Sequence, residues 1–94
     1  MTRRIEPTRA FRRDYTREKS SVLGKRLDAL LGEVIDKLAA DEPLPERCRD
    51  HALTGHWDDH RDCHVRPDLV LIYRKTGSDV LQLVRLGSHS ELGI

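Results

Sequence analysis

Residues 69–73, Leu69-Val70-Leu71-Ile72-Tyr73, are five consecutive apolar side chains closed by Arg74 and Lys75. A strand or helix with one wet face would interrupt such a run with polar residues, so the run predicts a strand buried on both faces in the middle of a sheet. Upstream, Pro67 breaks a second segment. There His60, Asp62 and His64 share one face and Arg61, Cys63 and Val65 the other, because strand side chains alternate with a period of two. Downstream, Gly77 and Ser78 supply a turn, residues 80–86 form a last strand, and residues 87–94 read as a short tail.

The first half follows a different period. Leu23, Leu27, Leu30, Leu31, Val34, Ile35 and Leu38 recur at three- and four-residue steps, the core-facing stripe of a helix for which Ser20 and Ser21 offer an N-cap. A shorter helix is expected from Pro7 and Thr8 to about Glu18, preceded by a strand over residues 3–6. Asp41 to Pro45, with two prolines, ends the helical half. The expected fold is therefore α+β: an N-terminal strand and two helices packed on an antiparallel sheet, with residues 1–94 forming one domain.

Composition narrows the class. With 35% charged and 37% hydrophobic residues, the chain is polar but holds enough apolar runs to fold. No stretch has the length of a membrane span, and the basic start lacks the apolar segment of a secretory signal, so the expectation is a cytoplasmic protein. Cys48 and Cys63 are expected as free thiols. The net charge of +1 conceals an asymmetry: residues 1–26 carry nine Lys/Arg against three Asp/Glu, and residues 41–94 carry seven against ten. Concentrated positive charge at Arg9, Arg12, Arg13, Arg17, Lys19, Lys25 and Arg26 predicts a polyanionic partner, with a solvated basic helix face as the bland alternative.

All five histidines, His51, His56, His60, His64 and His89, fall in the second half. Two imidazoles flanking a phosphodiester can act as base and acid without a cofactor, because histidine titrates near neutrality. Three segments concentrate them. They are Asp50-His51-Ala52-Leu53-Thr54-Gly55-His56-Trp57, Arg61-Asp62-Cys63-His64-Val65-Arg66-Pro67-Asp68, and Arg85-Leu86-Gly87-Ser88-His89-Ser90.

These three segments, in this order and together with residues 68–73, resemble the YafQ-like toxins of the RelE/ParE superfamily. The likeness is close over residues 50–92 and extends to the helical half in length and pattern. It implies a RelE-like fold and an endoribonuclease that cleaves mRNA in the ribosomal A site, restrained by a cognate antitoxin. It further implies attack by the 2′-hydroxyl with no metal or other cofactor, with His51, His64, Asp68 and His89 at the positions matching the catalytic residues. The resemblance does not say which histidine is base and which is acid. Arg61, Arg85 and Trp57 are candidate substrate contacts, and the basic run a candidate contact to ribosomal RNA. Arg61 and Arg85 have a second reading as ion-pair partners of Asp62 and Asp58, and Asp68 as a turn cap. His56 and His60 match no catalytic position and are expected as surface residues. The segment Ser90-Glu91-Leu92-Gly93-Ile94 departs from the family, which usually carries an aromatic there.

Two rival functions make different demands. Cys48-x-x-His51 with Cys63-His64 supplies four ligand types for structural zinc, but Cys63 and His64 are strand neighbours and point to opposite faces. A ParE-like, non-nucleolytic toxin would need none of the three motif histidines.

Overall fold

The computed structural model describes residues 2–94. The order is β1 (Arg4–Pro7), α1 (Arg9–Lys19), α2 (Gly24–Ala39), β2 (His51–Ala52), β3 (Arg61–Arg66), β4 (Leu69–Thr76), β5 (Val80–Gly87) and α3 (His89–Leu92). Short 3-10 turns occupy Glu46–Cys48 and Gly55–Trp57. The five strands form one sheet in the order β1-β5-β4-β3-β2.

The run 69–73 is the centre of that sheet, as its composition requires. Leu69, Leu71 and Tyr73 face the helices, where they meet Phe11, Leu27, Leu31, Val34 and Leu38 along with Leu81, Leu83 and Leu86. Val70 and Ile72 face the other way into a smaller cluster with Leu92, flanked by Leu53, Trp57, Val84 and Ile94. Burying a leucine in such a layer is worth about 1.5–3 kcal/mol, so this strand anchors two cores at once.

Strands β2 to β5 form the antiparallel part, and β1 joins it parallel to β5. β1 covers β5 only from Val80 to Leu83. Beyond that point α1 supplies side chains to the bare strand edge: Thr8 Oγ1 donates to Val84 O at 2.8 Å, Leu86 N donates to Asp14 Oδ2 at 3.0 Å, and Arg17 Nη2 donates to Leu86 O at 3.0 Å. Polar helix residues thereby satisfy backbone groups that would otherwise be a liability.

Two expectations are corrected. Neither serine caps α2, whose N-cap is Leu23 without a side-chain bond. Ser21 Oγ instead accepts from Leu23 N, one residue outside the helix. α2 begins at Gly24, and position 24 requires glycine because a Cβ there would stand 2.2 Å from Lys19 O, where α1 ends. The second correction concerns residues 87–94, which are not a plain tail. Ser88 and Glu91 form a capping box, with Glu91 N donating to Ser88 Oγ and Ser88 N to Glu91 Oε1, and this starts α3. Leu92 then docks the helix on Val70 and Ile72.

Irregularities in the ladder decide which way key residues point. Between Ile72 and Tyr73 the β4–β5 register shifts, so that Tyr73 pairs with Leu83 and Ile72 with Arg85. Val84 is the extra residue. Without this bulge Arg85 would follow Leu81 and Leu83 toward the helices; with it, Arg85 shares the face of Ile72.

Candidate active site

The face of the sheet turned away from α2 carries two rows of paired residues. One runs His51, Asp62, Ile72, Arg85 across β2 to β5, and the other runs His64, Val70, Gly87. His89, the first residue of α3, follows β5 directly. Its ring lies 5.0 Å from that of His64, centroid to centroid, at 61°.

His51 is held by backbone. Arg49 adopts a left-handed conformation at φ 48°, uncommon for a residue with a side chain, and this turn brings its carbonyl oxygen to 2.7 Å from His51 Nδ1. A carbonyl can only accept, so Nδ1 carries the hydrogen and Nε2 is the atom left to meet a ligand. Asp62 Oδ1 lies 3.0 Å from the same Nδ1 yet receives no aligned hydrogen bond. One N–H cannot point at both acceptors.

Asp62 is 1% exposed. Burial pushes its carboxyl above the ordinary value, and the imidazoles of His51, His64 and His89 oppose that shift. His64 is held below the ordinary histidine value, first by its own burial and then by the neighbouring His89. His51 thus lies against the buried Asp62 carboxylate, and His64 pairs with His89 on the same face of the sheet. Asp62 was visible in the sequence as the face-mate of His64, and its signal as a site member was that alternation.

Other expected residues fall elsewhere. Asp68 sits in the β3–β4 turn with its carboxylate 76% exposed, and its nearest ionic partner is Arg66 Nε at 3.7 Å. Among the described residues no hydrogen bond or ion pair joins Asp68 to the histidines. Arg61 pairs across the ladder with Tyr73 and so lies on the helix-facing side; its partner is Asp50, at 3.3 Å, and not Asp62. Arg85 is bound by Asp14 and not Asp58, with Nε donating to Oδ2 at 2.6 Å and Nη2 to Oδ1 at 3.3 Å. These acids were invisible as partners because they are far away in sequence.

Trp57 is half-buried beside Val70 and Ile72, with the rings of His56 and His60 each 5.4 Å away and nearly perpendicular to it. Next to it opens a cavity of about 620 Å³ whose lining includes Leu53, Trp57, Arg85 and Leu92.

The basic run is divided. Arg9, Arg12, Arg13, Lys25 and Arg26 are exposed. Arg17 is engaged by Asp14, Glu18 and Glu91, and Lys19 by Asp28. Those two are components of the scaffold as well as of the surface.

The four residues of the zinc reading are not assembled. Cys48 and Cys63 are buried among the helix-facing apolar residues, whereas His51 and His64 stand on the opposite face. Among the described residues, no three His, Cys, Asp or Glu side chains are grouped to hold an ion, and no helix is long and apolar enough to cross a membrane.

Comparison with known proteins agrees with the geometry. A family model described as "Bacterial toxin of type II toxin-antitoxin system, YafQ" matches residues 3–93. The mRNA interferase toxin YafQ of Escherichia coli K12 is 46% identical over 50 residues, 53% of each chain. The solved E. coli DinJ-YafQ toxin-antitoxin complex contains a chain similar to this one with TM-score 0.77 and 33% identity, covering 98% of both. A metal-bound toxin from Helicobacter pylori is similar with TM-score 0.80 and 39% identity, covering 98% of this chain and 99% of that one. With a RelE-like α+β fold, three motif histidines on one face of the sheet and a family match over nearly its whole length, this chain belongs to the YafQ family of type II toxin-antitoxin toxins.

Proposed function

We propose that this toxin is an endoribonuclease that cleaves mRNA in the ribosomal A site by histidine acid–base chemistry, without a metal in the chemical step. The observation that carries the reading is that His51, beside Asp62, and the pair His64–His89 share the sheet face turned away from α2. An mRNA interferase among its relatives supports the substrate class.

In this reading the work is divided among the histidines. His64, held neutral near pH 7, takes the proton of the 2′-hydroxyl as its oxygen attacks the adjacent phosphorus. His89 gives a proton to the departing 5′-oxygen, so the products are a 2′,3′-cyclic phosphate and a 5′-hydroxyl. His51 presents Nε2 to the phosphate or the nucleophile, its orientation fixed by the Arg49 carbonyl. Asp62 stabilises positive charge on the imidazoles as it moves among them. Asp68, exposed at the turn, acts on RNA that enters over the β3–β4 hairpin. A correctly placed acid or base typically contributes ~10²- to 10⁴-fold in rate. No step is routed through an ion, because the residues present do not form a ligand set.

The partner in the cell is an antitoxin whose acidic, amphipathic segment orders on the basic face of α1. The solved DinJ-YafQ complex supports an antitoxin partner, and the charge of α1 suggests where its segment would order. Purified ribosomes carrying a defined message test the reading. His64→Ala and His89→Ala should each lower cleavage by at least ~100-fold while ribosome binding persists. Cleavage by either variant at the wild-type rate defeats it, as does a wild-type toxin that leaves the message whole. Thermal melts with and without chelator test the metal separately, and a melting transition that collapses with chelator would overturn the metal-free assignment.

A further inference from the structure

The cavity beside Trp57 has no part in the acid–base chemistry, yet it adjoins the histidines through two shared elements. Arg85 lies in the same cross-strand row as His51 and Asp62. α3 contributes His89 to the site and Leu92 to the cavity wall, three residues apart on one turn. The opening and the histidines are thus built on the same strand row and the same turn of α3.

Its walls suit a flat, apolar-faced ligand with a polar edge. Leu53, Leu92 and Ile94 make it largely apolar, Trp57 contributes an indole, and Arg85 a guanidinium. Its size of about 620 Å³ falls within the range of ~300–1,000 Å³ common to small-ligand sites. His56 and His60 each pack perpendicular to the indole, at 84° and 76°, and restrain its orientation. The buried Asp14 carboxylate fixes the guanidinium through Nε and one Nη2 hydrogen. That leaves Nη1 and the second Nη2 hydrogen to donate.

A free phosphate is the poorer fit. The Arg85 guanidinium is already paired with Asp14, and Leu53, Trp57, Leu92 and Ile94 give an anion nothing; Thr54 and His56 are the remaining polar side chains of the lining and suit a base edge as well as a phosphate. An indole and a guanidinium on an apolar floor are the groups that stack on a base and hydrogen-bond its edge.

We propose that this cavity receives a nucleobase of the RNA adjacent to the scissile phosphate, stacked against Trp57 and hydrogen-bonded by Arg85. The inference rests on the ribonuclease reading for the identity of the ligand and assigns His56 and His60 the role of holding the indole.

Trp57 is the single tryptophan of the chain, so its fluorescence reports on this site alone. The probe is a hexaribonucleotide carrying 2′-O-methyl groups, which removes the attacking hydroxyl, compared with the same oligonucleotide made fully abasic. The base-bearing probe should change Trp57 emission saturably, and the abasic one should bind about five- to a hundredfold more weakly. Ile94→Ser, which trims one wall side chain and keeps the Ile94 N–H bond to His89 O, should weaken the first probe and leave the second unaffected. Equal affinity for both probes, or no emission change with either, overturns the cavity assignment. If instead wild-type toxin fails to cleave mRNA on ribosomes, the ribonuclease reading falls, and base binding to the cavity is judged by the fluorescence alone.

Discussion

Asp14, fully buried on α1, and Arg85, on β5, are 71 residues apart and form a two-point ion pair with Nε–Oδ2 at 2.6 Å. The same carboxylate accepts from Leu86 N at 3.0 Å and from Arg17 Nη1 at 3.1 Å. Arg17 in turn reaches Leu86 O and lies 3.6 Å from Glu91 of the α3 capping box. One carboxylate thus ties the first helix to the strand and turn that present Arg85 and His89.

Removing that carboxylate leaves the half-buried Arg85 and the Leu86 N–H without their acceptor. Asp14→Ala should destabilise the fold by about 1–3 kcal/mol, read as a lower urea midpoint, because it leaves the buried Leu86 N–H unpaired and removes the charge that Arg85 and Arg17 share, while both guanidiniums can still reach water. The pH dependence follows from the sign of the shift. Burial raises the Asp14 carboxyl, but the bonds from Arg85 and Leu86 and the charge of Arg17 outweigh it and leave it below the ordinary value. A lowered folded-state value gives stability that is present above the unfolded carboxylate range and lost as pH falls through the folded value. The gap between wild type and Asp14→Asn should therefore be full at pH 7 and close in acid. A gap that stays constant down to pH 2 would show that the charge is not what matters.

The pairing of His64 with His89 sets a second expectation. Burial is the main reason that His64 titrates low, and the adjacent imidazole adds to it. In His89→Gln the NMR titration of the His64 ring should move up in pH without reaching an exposed histidine's value. In the wild type the acidic limb of the cleavage profile should lie below that of an ordinary histidine, since the base is active once deprotonated. An unchanged His64 titration in the variant would mean that the two rings do not interact electrostatically.

Surface and scaffold cations should separate cleanly. Reversing Arg9, Arg12 and Arg13 to Glu is expected to leave the melting temperature within a few degrees of wild type while weakening ribosome binding and flattening its salt dependence. Arg17→Glu is expected to unfold the protein at much lower temperature, because it sets a carboxylate against Asp14 and Glu91. Equal stability of the two variants would refute the division.

The capping box offers a local lever on the site. Ser88→Ala removes the acceptor for Glu91 N and should cost about 1 kcal/mol, felt mainly as fraying of α3. Amide exchange at Leu92 and Gly93 should accelerate while β4 stays protected, and cleavage should fall because His89 loses its place beside His64. Unchanged exchange in α3 would remove the argument.

By itself the sequence determined the layers of the fold and the chemical class of the site. Five apolar residues in a row force a central strand, a three- and four-residue leucine stripe forces a helix over it, and alternation puts Asp62 and His64 on a common face, because these patterns are local. It also contained the α3 signal, Ser88 with Glu91 three residues on, although a four-residue helix gives no periodicity to draw attention to it. Only the tertiary structure decided the rest. Arg85 turns to the histidine face because a single bulge at Val84 reverses every alternation after it, and no residue-level pattern announces where a bulge falls. The partners of Arg85 and Arg61 are Asp14 and Asp50, since ion pairing depends on which chain segments meet in space and every acid in the sequence is an equal candidate before they do.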